Sequence, residues 1–263
     1  MIHVDVGSMK LMNGSHEPEV HQGAHGGSGS DEAVSSVRVV TWNIQFGVEV
    51  AAAAEALLHA DELRSADIVL LQEMDEVGTE SIARSVGLNH VFASSGVHTR
   101  TGRHFGNAVL SKWPLRDPDV VMLSHRSAVQ GQDRIAVRAT VSFGEFDVDA
   151  CSVHTEVPSL SPPKRRRQFE EIAEATERWV PDRLIVGGDF NTLTARGATL
   201  VSQRMLRIGA ARVSDGAGAT LRRGGKEFVL DHVFARGLTP LGCGVVRGVG
   251  ASDHRPLWVR LGI

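Results

Sequence analysis

The chain of 263 residues is 42% hydrophobic and 22% charged, with a formal net charge of -3. That is enough apolar material for a real core, so a fibrous or wholly disordered chain is excluded, and no global field marks out a nucleic-acid or membrane partner. Two cysteines, Cys151 and Cys243, exclude a disulfide framework or a four-cysteine zinc site and suit a reducing compartment, while the absence of tyrosine excludes a tyrosine nucleophile or acid.

In chain order, residues 1–36 come first, with Asp5, Glu17, Glu19, Asp31 and Glu32 set against Lys10 alone, so the remainder is close to neutral. From Asn13 to Ser36 the chain is rich in His, Gly, Ser and Glu and has no hydrophobic period, which predicts a disordered N-terminal tail over 1–36. His16, His21 and His25 could hold a metal there only loosely, and a solvated tail is the reading we adopt. Regular structure begins at Val37, so a single α/β domain is expected over 37–263.

Short β-branched runs predict strands at residues 37–44, 68–71, 108–110, 135–141, 146–153, 184–186, 228–234 and 257–261. A helix is expected over 51–66, rich in Ala, Glu and Leu. Another is expected over 163–179, opened by Pro163 and carrying Phe169, Ile172, Ala173 and Thr176 at helical spacing. The strands at 135–141 and 146–153, joined through Ser142, Phe143, Gly144 and Glu145, read as a hairpin, so the sheet is mixed. There is no repeat of 20 to 50 residues, no apolar run of 18 or more, and no secretory leader pattern, which predicts a cytoplasmic protein without stable membrane insertion.

Several apolar strands run straight into polar chemistry. Residues 37–42 end in Asn43, residues 68–71 in Gln72 and Glu73, residues 151–153 in His154, and residues 184–188 in Asp189 with Asn191 beyond; Asp231 and His232 interrupt another run, and Ser252, Asp253 and His254 precede the last strand. Singly, each is an ordinary turn, cap or surface residue. Together they predict one cleft at converging strand ends, and Gly187-Gly188 before Asp189 allows a close backbone approach that a surface turn does not need. Gathering Glu73, Asp189, Asp231 and Asp253 costs mutual repulsion and desolvation unless a cation intervenes. Carboxylates and amides without clustered Cys or His suit Mg2+, with Mn2+ as a substitute, better than Zn2+.

The motifs Thr41-Trp42-Asn43-Ile44, Leu71-Gln72-Glu73, Gly106-Asn107-Ala108-Val109-Leu110-Ser111, His154, Gly187-Gly188-Asp189-Phe190-Asn191, Leu230-Asp231-His232-Val233 and Ser252-Asp253-His254-Arg255-Pro256 resemble, in order, those of the endonuclease/exonuclease/phosphatase superfamily. The resemblance covers residues 37–261. It implies a four-layer α/β/β/α sandwich of two mixed β-sheets with the active site at their common edge. It also implies roles: Glu73 as principal Mg2+ ligand with Asn43 beside it and Asp253 as a further metal-associated carboxylate; Asp189 orienting and deprotonating water with Asn191 holding it; His254 donating to the phosphoryl oxygen, oriented by Asp231; and His154 contacting phosphate or the leaving oxygen. Asn107 falls in a stretch that contacts substrate phosphate.

The implied activity is Mg2+-dependent hydrolysis of a phosphodiester, in nucleic acid, phospholipid or a small molecule, by in-line attack of water. The alternative is a phosphomonoesterase on an inositol- or nucleotide-type phosphate. A scaffold that kept the fold and lost its chemistry is the different-class alternative, and the complete acid, amide and histidine set argues against it. Abasic-site endonucleases of the superfamily use a tyrosine that this chain lacks.

Three basic clusters could frame substrate. Arg103 and His104, with His98 and Arg100, abut a presumed active-site strand and are expected to contact phosphate. Lys164 to Arg167 reads as a solvated helix face paired to Glu170 and Glu171, and the third cluster is Arg222, Arg223 and Lys226. Gly-x-Ser-x-Gly, P-loop and dinucleotide-binding patterns are absent, so serine hydrolase, P-loop and Rossmann chemistry recede.

Overall fold

The computed structural model describes residues 18–27, 34–98, 101–126, 131–179 and 182–263. The first half runs β1 (Val20–Gly23), β2 (Ser36–Asn43), α1 (Val50–His59), β3 (Ile68–Met74), α2 (Glu76–Val86), β4 (Asn89–Val97), β5 (His104–Ser111) and β6 (Leu115–Leu123). There follow β7 (Arg134–Ser142), β8 (Asp147–His154), α3 (Pro162–Trp179), β9 (Leu184–Asp189) and α4 (Ala195–Arg207). The chain ends with β10 (Ala211–Arg212), β11 (Leu221–Arg223), β12 (Lys226–Phe228), β13 (Asp231–Arg236), β14 (Thr239–Val245) and β15 (Leu257–Gly262).

Two sheets carry the fold. One is ordered β1-β4-β5-β3-β2-β15-β14 and the other β10-β13-β9-β8-β7-β6, while β11 and β12 form a separate hairpin. The pairs β2–β3 and β8–β9 are parallel and the other pairings are antiparallel, so both sheets are mixed as expected.

Side-chain alternation builds the layers. Along β2, Val37 and Val39 face the second sheet and join Ile68, Leu70, Val137, Ala150, Ile185 and Val259 in the core between the sheets. Val40 and Trp42 turn outward onto Ala53, Leu57 and Ile82, the buried stripe of α1 and α2. On the second sheet Cys151, Val153, Val186 and Phe234 pack outward on Phe169, Ile172, Val201 and Met205 of α3 and α4. The result is the four-layer sandwich that the resemblance implied. No helix among the described residues is long and apolar enough to cross a membrane.

The structure departs from the sequence reading at the N-terminus. Val20–Gly23, inside the stretch expected to be disordered, pairs antiparallel with β4 at the sheet edge, with Val20 opposite Ala93 and Gly23 opposite His90. Backbone pairing, the ring of His21 at 6.1 Å from that of Phe92, and His25 stacked on His90 replace the apolar content that the segment lacks. The rest of the predicted tail, residues 1–17 and 28–33, lies outside the described residues.

The first helix stops at His59 rather than reaching residue 66, because the carbonyls of Asp61 and Glu62 turn out to accept from Arg38 Nη1. The run at 228–234 divides into β12 and β13 where Thr220 Oγ1 accepts the backbone N–H groups of Leu230 and Asp231.

Candidate active site

The parallel strands β2, β3, β8 and β9 all point their C-terminal ends at one edge of the sandwich, and the antiparallel strands β5, β7 and β13 begin there. Asn43, Glu73, His154 and Asp189 therefore arrive from strand ends, and Asp231 from a strand start directly opposite Asp189. A polar seam ties the sheets together beneath them: Gln72 Nε2 donates to Ser152 Oγ at 3.0 Å and to Thr41 Oγ1 at 3.2 Å, while Ser152 Oγ donates to Leu71 O at 2.8 Å.

Backbone irregularities aim the acids. Glu73 has φ 59°, in the left-handed region, at a β-bulge between Gln72 and Met74 that turns its side chain to the edge. Its Oε2 accepts from Phe46 N at 3.1 Å. Asn191, with φ 49°, folds back so that its N–H donates to Asp189 Oδ1 at 2.8 Å, and its side-chain Nδ2 donates to Thr155 O at 2.9 Å. At Gly188 (φ 154°) a Cβ would stand 1.8 Å from Val153 O, so only glycine lets β9 lie this close to β8.

The acids and rings converge. Asp189 Oδ2 lies 3.2 Å from Asn43 Nδ2, 3.6 Å from His154 Nε2 and 3.7 Å from His254 Nε2. His254 Nδ1 meets Asp231 Oδ2 at 2.9 Å, and His154 Nε2 is 3.9 Å from Glu73 Oε1. The loop carrying His254 is pinned by Trp42 Nε1 donating to His254 O at 2.9 Å and Ser252 Oγ donating to Asn43 O at 2.7 Å.

Burial shapes the protonation states. It raises Glu73 above the usual carboxylate range, a shift that Arg134 and the Asn43 hydrogen bond only partly offset. Burial, with Asp231 and Glu73 nearby, pushes Asp189 up to about 7 against the pull of His254 and the Asn191 N–H. For His254 burial acts downward, but the carboxylates of Asp231 and Asp189 outweigh it and hold the ring up to about 10. His154 is held well below its ordinary value by burial, Arg134 and His254. One ring is thus charged and its neighbour neutral.

Asp189, Asp231 and His254 offer ligand atoms within 4.8 Å of one another. An imidazolium gripped by two carboxylates is a poor metal ligand, so this trio is better suited chemically to moving a proton than to caging an ion. The donor set that fits a hard cation is the Glu73 carboxylate with the Asn43 carbonyl. Both sit among buried carboxylates, one of which, Asp231, has an Oδ1 with no hydrogen-bond partner. Asp253 is exposed beside His254 at the rim.

The expected phosphate contacts fall elsewhere. Asn107 is 1% exposed and its Nδ2 donates to Ile135 O at 2.9 Å and Ser152 O at 3.2 Å, so it bridges the two sheets. His104 faces acids, with Nδ1 at 3.1 Å from Glu76 and 3.7 Å from Glu19, a setting that repels phosphate. Arg103 pairs with Asp75 at 2.6 Å and donates to Phe46 O, bracing the loop whose N–H holds Glu73. Arg100 lies outside the described residues.

Two arginines at the site escaped the sequence reading. Arg134, 4% exposed, starts β7; Nη1 lies 3.2 Å from His154 Nδ1, Nη2 lies 3.5 Å from Glu156, and the guanidinium sits over Phe105. The reading followed polar residues at the C-terminal ends of strands, whereas an antiparallel strand delivers its first residue to the same edge. Arg165 comes from the cluster read as a solvated face. Arg167 does pair with Glu171 and Glu174 there, but Arg165 turns inward and donates to Asn191 O at 2.6 Å and Phe190 O at 3.3 Å.

Comparison with known proteins bears on the family and the fold. No curated protein sequence matches the chain. Among solved structures, an endonuclease/exonuclease/phosphatase from Bacteroides vulgatus is similar at TM-score 0.70 and 16% identity, covering 88% of this chain and 100% of that one. D. rerio TDP2 complexed with single strand DNA product gives TM-score 0.68 at 15% identity, covering 88% and 100%. A mannosyl-6-phosphatase from Bacteroides thetaiotaomicron gives 0.67 at 15%, covering 86% and 100%. At such identities the likeness is one of fold. The Endonuclease/Exonuclease/phosphatase family pattern matches residues 40–254, and the chain belongs to that family of phosphoric ester hydrolases.

Proposed function

We propose that this member of the endonuclease/exonuclease/phosphatase family hydrolyses a phosphodiester, with Mg2+ or Mn2+ as cofactor and water as nucleophile. The observation that carries the reading is the junction at Asp189, where a carboxylate, an amide and two imidazoles meet within 3.7 Å.

Glu73 and Asn43 would hold the cation, with Asp253 at the rim. When bound it would supply positive charge to the phosphate and lower the cost of the charge that develops on it. Asp189, raised to about 7, matches a general base working near neutrality, and Asn191 keeps it oriented through the N–H on Oδ1. His254, protonated and oriented by Asp231, donates to a phosphoryl oxygen or the leaving oxygen. His154 is neutral. With Nδ1 turned to Arg134, its proton sits on Nε2, which supports a hydrogen-bonding role toward phosphate rather than that of an acid.

A diester is favoured over a monoester by charge. The guanidiniums beside the site are already engaged, Arg134 by Glu156 and Arg165 by the carbonyls of Phe190 and Asn191, which suits a singly charged phosphate better than a dianion. Unpaired Cys151 and Cys243 fit the cytoplasmic setting that belongs to this reading. The test is a metal-supplemented screen over plasmid DNA, single-stranded RNA, sphingomyelin and inositol phosphates with Glu73→Gln as blank. Turnover on a diester that EDTA stops and Mg2+ restores supports the proposal; turnover of monoesters alone overturns its substrate class.

A further inference from the structure

The geometry points to a second metal site, outside the catalytic edge: His21 of β1, His104 of β5, Glu76 of α2 and Glu19 form a site for a transition-metal dication of the Zn2+ class, which clamps the N-terminal strand to the domain. His104 Nδ1 lies 3.1 Å from Glu76 Oε2 and 3.7 Å from Glu19 Oε2, and His21 Nε2 lies 3.7 Å from the same Glu19 oxygen. Tetrahedral coordination with metal–ligand bonds of about 2.0–2.1 Å separates the ligand atoms by about 3.4 Å, so these spacings need little adjustment. The ligand atoms of Glu19, His21 and His104 all fall within 4.8 Å of one another.

The second observation concerns the donors themselves. On side chains that are themselves part-exposed, the atoms His21 Nε2, His104 Nδ1 and Glu76 Oε2 are covered and make no hydrogen bond, although each sits beside groups that could serve. Covered polar atoms seldom go unsatisfied, and here the donor atoms of Glu19, His21 and His104 lie within 4.8 Å of one another with Glu76 adjoining through His104, which is the spacing a ligand shell needs. Imidazole nitrogens with carboxylates select Zn2+ and its neighbours over Mg2+, which sets this site apart from the oxygen-donor set at Glu73 and Asn43.

A neighbouring cluster, His25, Glu80 and His90, is a weaker candidate. Glu80 Oε1 already accepts from Arg84 Nη2 at 2.6 Å and contacts His25 Nε2 at 2.9 Å, so a guanidinium occupies the cation's place. The first site also explains why a stretch with so little apolar content pairs as a strand. An ion shared by β1, β5 and α2 adds its binding free energy to the docking of that strand.

The test uses the full chain stripped of metal. Zn2+ uptake is measured by titration calorimetry for the wild type, His21→Ala and Glu76→Gln, and amide exchange at Val20–Gly23 is followed with and without Zn2+, with Mg2+ as control. We expect the wild type to take up one equivalent more than either variant, and Zn2+ but not Mg2+ to slow exchange in β1 by roughly tenfold or more. Equal uptake by variants that melt like the wild type without metal would overturn the site. So would wild-type β1 exchange indifferent to Zn2+, whatever the variants do.

Discussion

His254 and Asp231 are joined through Nδ1 and Oδ2 at 2.9 Å, across the end of the second sheet, and the pair leaves Nε2 of the same ring facing Asp189. Because the folded ring titrates near 10 rather than 6.5, this pairing stabilises the protein fully below pH 6.5 and loses its effect as the pH rises through 10. Asp231→Asn removes the main source of the shift. In the metal-free protein, ring nitrogen chemical shifts followed by pH titration should show His254 releasing its proton at distinctly lower pH in the variant. An unchanged titration would separate the two residues functionally.

Asp189 responds to the same substitution in the same direction. Burial comes first among the causes of its rise to about 7, and Asp231 adds to it. Where His254 stays protonated across the acid limb, losing that negative neighbour lowers the Asp189 pKa, so the limb of the pH–rate profile should move to lower pH in Asp231→Asn while the maximal rate falls. A limb that stays in place would assign the acid limb to another group.

Gly188→Ala should cost about 3 kcal/mol or more in denaturant unfolding, because the added Cβ meets the backbone of Val153 rather than a side chain that can move. Chemical unfolding monitored by tryptophan fluorescence checks this.

Gly188 also illustrates how much the sequence disclosed. A glycine pair ahead of an acid is legible as a close approach, and a run such as 37–44 announces its strand through closely spaced β-branched residues, Val37, Val39, Val40 and Thr41. Polar residues placed where such runs stop single out Asn43, Glu73, His154, Asp189 and Asp231, which the fold gathers at one edge. What stayed hidden depends on the partner. β4, with Ser94, Ser95 and Gly96 in its second half, is a strand because β1 and β5 flank it, and α2 owes its start to an Asp75 cap donated to by Gly78 N rather than to a strong apolar stripe. Asn107 and His104 look alike in sequence to phosphate contacts; only tertiary structure shows that carbonyls take up one and acids the other. Arg165 is inseparable from Arg167 until the helix is docked.

Those two arginines give a contrast that mutagenesis can read. Arg165→Ala removes charge-assisted hydrogen bonds to the Phe190 and Asn191 carbonyls and should lower stability by about 1.5–3 kcal/mol, with a fall in kcat as Asn191 loosens. Arg167→Ala breaks exposed pairs with Glu171 and Glu174 and should change stability by less than about 1 kcal/mol. Thermal melts of both variants, side by side, check the stability difference, and kcat checks whether Arg165 acts through Asn191.

Glu156→Gln would leave the buried Arg134 guanidinium without its carboxylate, 3.5 Å away. Breaking a buried pair from one side costs about 3–5 kcal/mol, so this variant should unfold at markedly lower urea concentration. It should also perturb His154, whose Nδ1 leans on the same guanidinium.

The most direct measurement is the hydrolysis rate of a phosphodiester panel, from plasmid DNA to a simple aryl diester, by wild type and Asp189→Asn at saturating Mg2+. The account predicts metal-dependent turnover by the wild type on at least one diester and a loss of about 100-fold or more in kcat for the variant at unchanged fold. Equal rates for the two proteins would contradict it.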